Sequence, residues 1–189
     1  LLEKIEKITE IENVQRIEII RVKEMYRETI DHFESIRFKV EEFVPNLLDI
    51  FNEIDDSFVK LEGMMNNQLF EDAKEFTKDI EAKVIWVNQR LEDLPSYIAV
   101  VRQYMPKKVA HIQGLIQIMT EEKFSLNQLD AYNRLNMIQT TLEESIGHIK
   151  KLELDNIGEV LQNLSDAIDS LIQDLEGEKR SFDEFKEKW

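Results

Sequence analysis

Apolar residues recur at alternating steps of three and four along most of this chain, which is the spacing of one face of an α-helix. So narrow a stripe is typical of the seam of a coiled coil or of a slender helical bundle. A slender bundle has little room for a deep pocket, so the pattern favours a protein that spans distance and holds partners. The clearest early series is Phe33, Ile36, Val40, Phe43, Leu47, Ile50, Ile54, Phe58 and Leu61.

The first predicted helix covers about residues 2–64. Pro45 falls inside it, and because the apolar rhythm keeps its phase on both sides, we expect a kink there rather than a break. Gly63 and the pair Asn66-Asn67 are residues that end helices and turn chains, so they mark its end.

The second predicted helix covers about residues 70–121 and contains Pro95 and Pro106. At roughly 1.5 Å per residue it would be about 75 Å long, more than a compact domain of this mass needs. It must therefore serve two neighbouring bundles or break at a proline, and the sequence leaves both open.

Two further helices follow, one over about residues 126–151 with Ser125 as its N-cap, and one that begins after Asp155 as its N-cap. The core positions expected for the third helix are Leu129, Tyr132, Leu135, Ile138, Leu142, Ile146 and Ile149. The stripe of the fourth, broken only by Glu178, is Ile157, Leu161, Leu164, Ile168, Leu171, Leu175, Phe182, Phe185 and Trp189.

Short turns between these helices make sequential helices antiparallel neighbours. The sequence therefore predicts an all-α fold of elongated antiparallel helical bundles in tandem, similar to spectrin repeats and sharing a long helix. We expect residues 1–95 to form an antiparallel helical pair, a partial repeat. Residues 96–189 are expected to form a three-helix spectrin-like bundle.

Charge and composition narrow the function. The 39 acidic and 24 basic residues give a net charge of −15, which argues against nucleic-acid binding and against direct attraction to an anionic membrane. Basic or amphipathic protein partners are more compatible with this surface.

The absence of cysteine excludes disulfides and thiolate metal sites and fits a reducing cytoplasm. No apolar run approaches the roughly 20 residues that cross a bilayer. The chain starts in helical rhythm without Met, so we expect it to be a segment of a longer protein.

Catalytic and metal-binding chemistry find little support in the sequence. Glu144 and His148 would share a helix face, but the repeated Glu-x-x-His of carboxylate-bridged di-iron bundles is missing, so we expect a solvated side-chain pair. Carboxylates fall mainly between stripe positions, facing water rather than a cleft. No glycine-rich phosphate loop appears. We expect no catalytic residue, no cofactor and no metal, and hence not an enzyme.

Interaction residues are the better candidates. Phe182, Phe185 and Trp189 continue the fourth stripe beyond Glu178, where we expect the bundle to end. In the parent protein this stripe would pack on the next repeat, and in isolation it could drive formation of a homodimer. Lys107 and Lys108 form a compact basic spot that could meet an acidic peptide, with a solvated pair as the alternative. Trp86 is expected to be a packing residue.

Several short segments of the chain have a recognisable order and spacing. They are Phe70-Glu71-Asp72-Ala73, Asp93-Leu94-Pro95 followed by Met105-Pro106, Met119 followed by Phe124 and Leu126, Leu152-Glu153-Leu154-Asp155, and Ile168-Asp169-Ser170-Leu171 followed by Leu175-Glu176-Gly177-Glu178. Through these segments the chain resembles, over nearly its whole length, the bacterial septation ring formation regulator family (EzrA).

The resemblance implies a cytoplasmic, spectrin-like part of a cell-division protein, held at the membrane and the division septum by an N-terminal anchor helix outside this segment. It implies binding to the tubulin-like division protein FtsZ, restraint of Z-ring assembly, and contacts with other division and wall-synthesis proteins. The alternative is a helical domain that senses a small molecule bound between its helices. That alternative predicts a pocket and a buried polar cluster.

Overall fold

The computed structural model describes residues 1–122 and 126–188, and within them every regular element is helical. The predicted all-α class is confirmed. The α-helices are α1 (Leu2–Ile36), α2 (Val44–Asn66), α3 (Phe70–Ala99), α4 (Met105–Glu121), α5 (Ala131–Lys150) and α6 (Ile157–Lys188). The chain divides into two compact units, Leu1–Pro95 and Ser96–Trp189.

The first unit contains α1, α2 and most of α3 packed on one another. Tyr26 on α1 contacts α2, since its hydroxyl donates to the carbonyl of Phe51 at 3.0 Å. Gln15, also on α1, contacts α3 by donating to the hydroxyl of Thr77 at 2.9 Å. The unit therefore has three helices where the sequence predicted two.

The prediction of one helix over residues 2–64 is wrong. α1 ends at Ile36, two short 3₁₀ turns follow at Arg37–Lys39 and Glu41–Phe43, and α2 begins at Val44. Pro45 does not kink a helix but lies in the first turn of α2, where its missing N–H has no helical partner to lose. A 3₁₀ turn places side chains three residues apart on one side. The apolar spacing of three and four residues therefore continues between Ile36 and Val44, although the α-helix is interrupted there.

α2 ends at Asn66, and the residue that reverses the chain is Gln68. Its φ is 60°, in the left-handed region. The amide of Gln68 donates to the carbonyl of Met65, and that of Leu69 to the carbonyl of Met64. This pattern is a Schellman motif with glutamine in the place that glycine usually takes. Gly63, expected to end the helix, lies inside it.

Pro95 and Pro106 are both accommodated within helical backbone. Pro95 lies inside α3. A π-helix at Val100–Tyr104 precedes α4, and Pro106 lies in the first turn of α4. The ring of a proline clashes with the carbonyl four residues earlier, and a wider turn directly before Pro106 relieves that clash.

The second unit packs α4, α5 and α6 together. Its core includes the full aliphatic part of the predicted fourth stripe, from Ile157 to Leu175, which is buried throughout. In α5 the prediction fails at Tyr132, which is exposed; its hydroxyl lies 3.1 Å from that of Thr120. Tyrosine tolerates this position because its hydroxyl can remain in water while the ring covers a neighbour.

The helix starts in the second unit are later than predicted. α5 begins at Ala131, after a 3₁₀ turn at Asn127–Leu129, and the predicted cap Ser125 lies outside the described residues. α6 begins at Ile157, and the carbonyl of Asn156 accepts its first helical hydrogen bond, from Val160. The N-cap position is therefore one residue after Asp155.

Candidate interaction surfaces

The basic pair predicted as an interaction site is divided between two environments. Lys107 is exposed, whereas the ammonium group of Lys108 contacts the carboxylate of Asp169 on α6. The same ammonium group lies 4.6 Å from the centre of the Tyr104 ring. The contact with Asp169, followed by one with Tyr104, raises the pKa of Lys108. Lys108 thus serves packing between α4 and α6.

The apolar stripe predicted at the end of α6 loses burial along its length. Leu175 is fully buried, Glu178 and Phe182 are half-buried, and Phe185 is 61% exposed. The ammonium group of Lys186 lies 4.9 Å from the centre of the Phe182 ring. Trp189 lies outside the described residues. This gradient agrees with the expectation that the bundle core ends near Glu178.

Polar contacts from α6 reach both of its neighbours. Glu176 lies 3.1 Å from Nε2 of His111 on α4. The guanidinium of Arg134 on α5 donates to Asp174 at 2.8 Å and to the hydroxyl of Ser170 at 3.3 Å. These pairs are partly exposed, so each adds little to stability.

A groove of about 560 Å³ runs along the surface between α5 and α6. We call it the α5–α6 groove. Its lining is mainly apolar and includes Met137, Ile138, Thr141, Val160, Leu164 and Ala167. Arg134 and Ser170 line one end, where Arg134 is the residue already paired with Asp174.

A second groove, of about 700 Å³, runs between α1 and α3 in the first unit. We call it the α1–α3 groove. Ile11, Val14 and Phe70 contribute apolar surface, and the buried pair of Gln15 and Thr77 also lines it. Its edges carry both signs of charge, from Lys7, Glu10, Glu18, Glu71, Lys74, Lys78 and Glu81. Both grooves are open to solvent along helix pairs, and their volumes fall in the range of small-molecule sites, about 300–1,000 Å³.

Trp86 and Tyr26 of the first unit both pack against neighbouring side chains. Trp86 is half-buried, with the ammonium group of Lys83 4.4 Å and the guanidinium of Arg90 5.0 Å from its ring. Tyr26 contacts the Phe58 ring at 5.6 Å. Burial, reinforced by Asp55, raises the pKa of Tyr26 above its ordinary value.

The histidines pair with single side chains rather than with one another. His148 contacts Glu153 at 2.6 Å, not Glu144 as predicted, because the chain reverses at Leu152 and brings Glu153 back beside the end of α5. This contact with His148 lowers the pKa of Glu153. Within residues 1–122 and 126–188, no group of three or more His, Asp or Glu side chains is arranged to hold a metal ion.

The α5–α6 groove was missed in the sequence because its lining residues, apart from Ile138 and Leu164, lie beside the main stripes. Asn163, Ala167 and Ser170 recur at steps of four and three, one residue before Leu164, Ile168 and Leu171 of the core stripe. This second series of small or polar residues was the available signal in the sequence. A single exposed Met137 next to buried Ile138 would not have revealed the opposite wall.

Comparisons with known proteins agree with the resemblance seen in the sequence. A family described as septation ring formation regulator, EzrA, matches residues 1–189. A septation ring formation regulator EzrA from Bacillus velezensis is 20% identical over 179 residues, covering 94% of this chain and 32% of that protein. One from Bacillus licheniformis is 23% identical over 177 residues, covering 85% of this chain and 31% of that protein.

The chain spans about a third of the length of these curated relatives. No solved structure matches it. Among the described residues, none of the helices is both long enough and apolar enough to cross a membrane. Because the family match extends from the first residue to the last, this chain belongs to the EzrA family of septation ring formation regulators.

Proposed function

We propose that this chain is a structural and interaction segment of a membrane-anchored cell-division regulator that acts at the cytoplasmic face of the division septum. In this proposal the parent protein binds FtsZ, restrains assembly of the Z-ring and contacts other division and wall-synthesis proteins. The observation that carries the proposal is the family match over the whole chain.

The proposed mechanism is steric and competitive. A helical segment bound to an FtsZ filament would occupy the surface through which filaments associate laterally, or would raise the turnover of subunits. Because each bound copy carries a net charge of −15, two filaments that both carry the segment would repel each other at low ionic strength. No catalytic step is part of this mechanism.

Co-sedimentation of this chain with FtsZ polymers tests the proposal. We expect the chain to appear in the pellet only under polymerising conditions, and the pelleted mass of bundled FtsZ to fall as the chain is added. A three-helix protein of similar size and charge is the control. If the chain stays in the supernatant and leaves the pelleted mass unchanged, it does not carry the FtsZ site.

A further inference from the structure

We propose that the α5–α6 groove binds a basic amphipathic helix from a partner protein. The proposal goes beyond the proposed function, because it holds whether or not this segment contacts FtsZ. It rests on three properties of the groove: its apolar floor, its length and the sign of charge along its edges.

The floor of the groove is apolar and uneven in height. Met137 rises from α5 and is 68% exposed, while the opposite wall on α6 is low because Ala167 and Ser170 are small. Small residues let another helix backbone approach closely, and methionine adapts its shape to different side chains. A helix seated here would cover Met137 and the exposed side of Val160.

The length of the groove suits a helix rather than an extended peptide. Residues 160–170 on α6 span about 15 Å at roughly 1.5 Å per residue, which is nearly three helical turns. An occupying helix would therefore present about two or three apolar residues at i, i+3/i+4 and i+7 to the floor. The incoming helix would then pack against α5 and α6 together, as a neighbouring helix does in a bundle.

Acidic residues stand next to lining positions of the groove on both helices. Glu144 lies one helical turn after Thr141 on α5, and Glu159 and Asp166 lie beside Val160 and Ala167 on α6. All three carboxylates belong to exposed residues. The cation in the lining, Arg134, is already paired with Asp174. Because charge complementarity guides association and selects partners, these edges favour lysines and arginines flanking the apolar face of the incoming helix.

The α1–α3 groove serves as an internal comparison. It is larger, yet both lysines and glutamates line each of its two helices, so it offers no single sign of charge to a partner. A basic helix should therefore prefer the α5–α6 groove, although both grooves have apolar floors.

The test uses a synthetic 18-residue helix with leucines at i, i+3, i+4 and i+7 and lysines elsewhere, and its twin with glutamate for lysine. Binding of each fluorescent peptide to the whole chain is measured by anisotropy at several salt concentrations. We expect the basic peptide to bind more tightly than the acidic twin, and its affinity to fall as salt rises. Equal binding of the two peptides would overturn the proposal.

Variants locate the binding site. Ala167→Arg places a long cation on the floor and should weaken binding of the basic peptide by at least about tenfold. Ala110→Arg, at an exposed position of α4, is the matched control and should leave affinity unchanged. Circular dichroism verifies that both variants fold. Unchanged affinity in folded Ala167→Arg would overturn the proposed location.

Charge reversal gives a second readout that leaves the floor intact. The triple variant Glu144→Lys, Glu159→Lys and Asp166→Lys should reduce both the affinity for the basic peptide and its dependence on salt. The control reverses three other exposed acids, Glu28, Glu92 and Glu143, to lysine. Equal losses in the two triple variants would show that only net charge matters and would overturn the proposal.

Sedimentation of the chain alone detects self-association. A dimer that is abolished by Ala167→Arg would assign the groove to a second copy of the chain and would overturn the proposal of a partner helix.

Discussion

Gln15 and Thr77 hydrogen-bond to each other inside the first unit, with 2.9 Å between the amide nitrogen of one and the hydroxyl oxygen of the other. The two residues are only 6% and 4% exposed. The Thr77 hydroxyl in turn donates to the carbonyl of Ala73 at 2.6 Å. A polar pair at a seam position is satisfied in one alignment of its helices, so this pair sets the position of α1 along α3.

Removing one partner of this pair should cost more than removing both. Thr77→Val leaves the buried Gln15 amide without its acceptor and should lower the free energy of unfolding by about 1–3 kcal/mol. The double variant Gln15→Leu/Thr77→Val should be close to neutral. Urea unfolding followed by Trp86 fluorescence in a Trp189→Phe background measures the first unit. Thr9→Val, which removes an exposed hydroxyl bonded to the carbonyl of Ile5, is the control. A double variant as unstable as Thr77→Val would contradict this account.

Two left-handed residues should respond in opposite directions to glycine. Gln68 is exposed with a φ of 60°, so Gln68→Gly relieves strain without losing packing and should stabilise the chain by up to about 1 kcal/mol. Leu152 has a φ of 58° but is 1% exposed. Leu152→Gly relieves the same strain and leaves a cavity, so we expect a net loss of about 1–3 kcal/mol. Chemical denaturation measures both, and a stabilising Leu152→Gly would show that backbone strain outweighs burial there.

Replacing the prolines of α2 and α3 by alanine should change stability in different ways, because they occupy different positions in their helices. Pro95 lies inside α3 and costs a backbone hydrogen bond, so Pro95→Ala should raise the free energy of unfolding by about 1–3 kcal/mol. Pro45 lies in the first turn of α2, where proline is tolerated, so Pro45→Ala should be neutral or lose up to about 1 kcal/mol through the entropy of the unfolded chain. Scanning calorimetry compares them. A loss of stability in Pro95→Ala would mean that packing depends on the local geometry at this proline.

The contact between His148 and Glu153 makes the end of α5 sensitive to acid. The pKa of Glu153 is lower in the folded protein than its ordinary value of 4.5. The stabilisation is therefore fully present above pH 4.5 and is lost as the pH falls through the lower folded value. Melting temperatures measured between about pH 2.5 and 6 should fall less steeply for Glu153→Gln than for the unmodified chain. Glu143→Gln is the control, and identical profiles for Glu153→Gln and the unmodified chain would show that the contact does not form in solution.

Apolar spacing predicted the helices but not always where they end. The aliphatic stripe from Ile157 to Leu175 was read correctly because each of its members packs in the core of one uninterrupted helix. The break between Ile36 and Val44 was missed because Val40 and Phe43 are buried at helical spacing although they lie at the ends of 3₁₀ turns. Burial and helix type are separate properties, and the pattern reports only burial.

The interaction surfaces were harder to predict than the fold. Lys107 and Lys108 are adjacent in sequence, yet only the structure shows that Asp169 on another helix binds one of them. The α5–α6 groove depends on residues of two helices whose relative rotation is set by packing. The reversal at Leu152 could not be expected from propensity either, since leucine rarely takes a left-handed conformation.

Light scattering during FtsZ assembly, titrated with this chain, tests most directly whether the segment restrains the division filament. The account predicts a plateau of scattering that falls with increasing chain concentration and then saturates, because bound chain limits lateral association. A plateau that stays unchanged at a large molar excess of folded chain would contradict it.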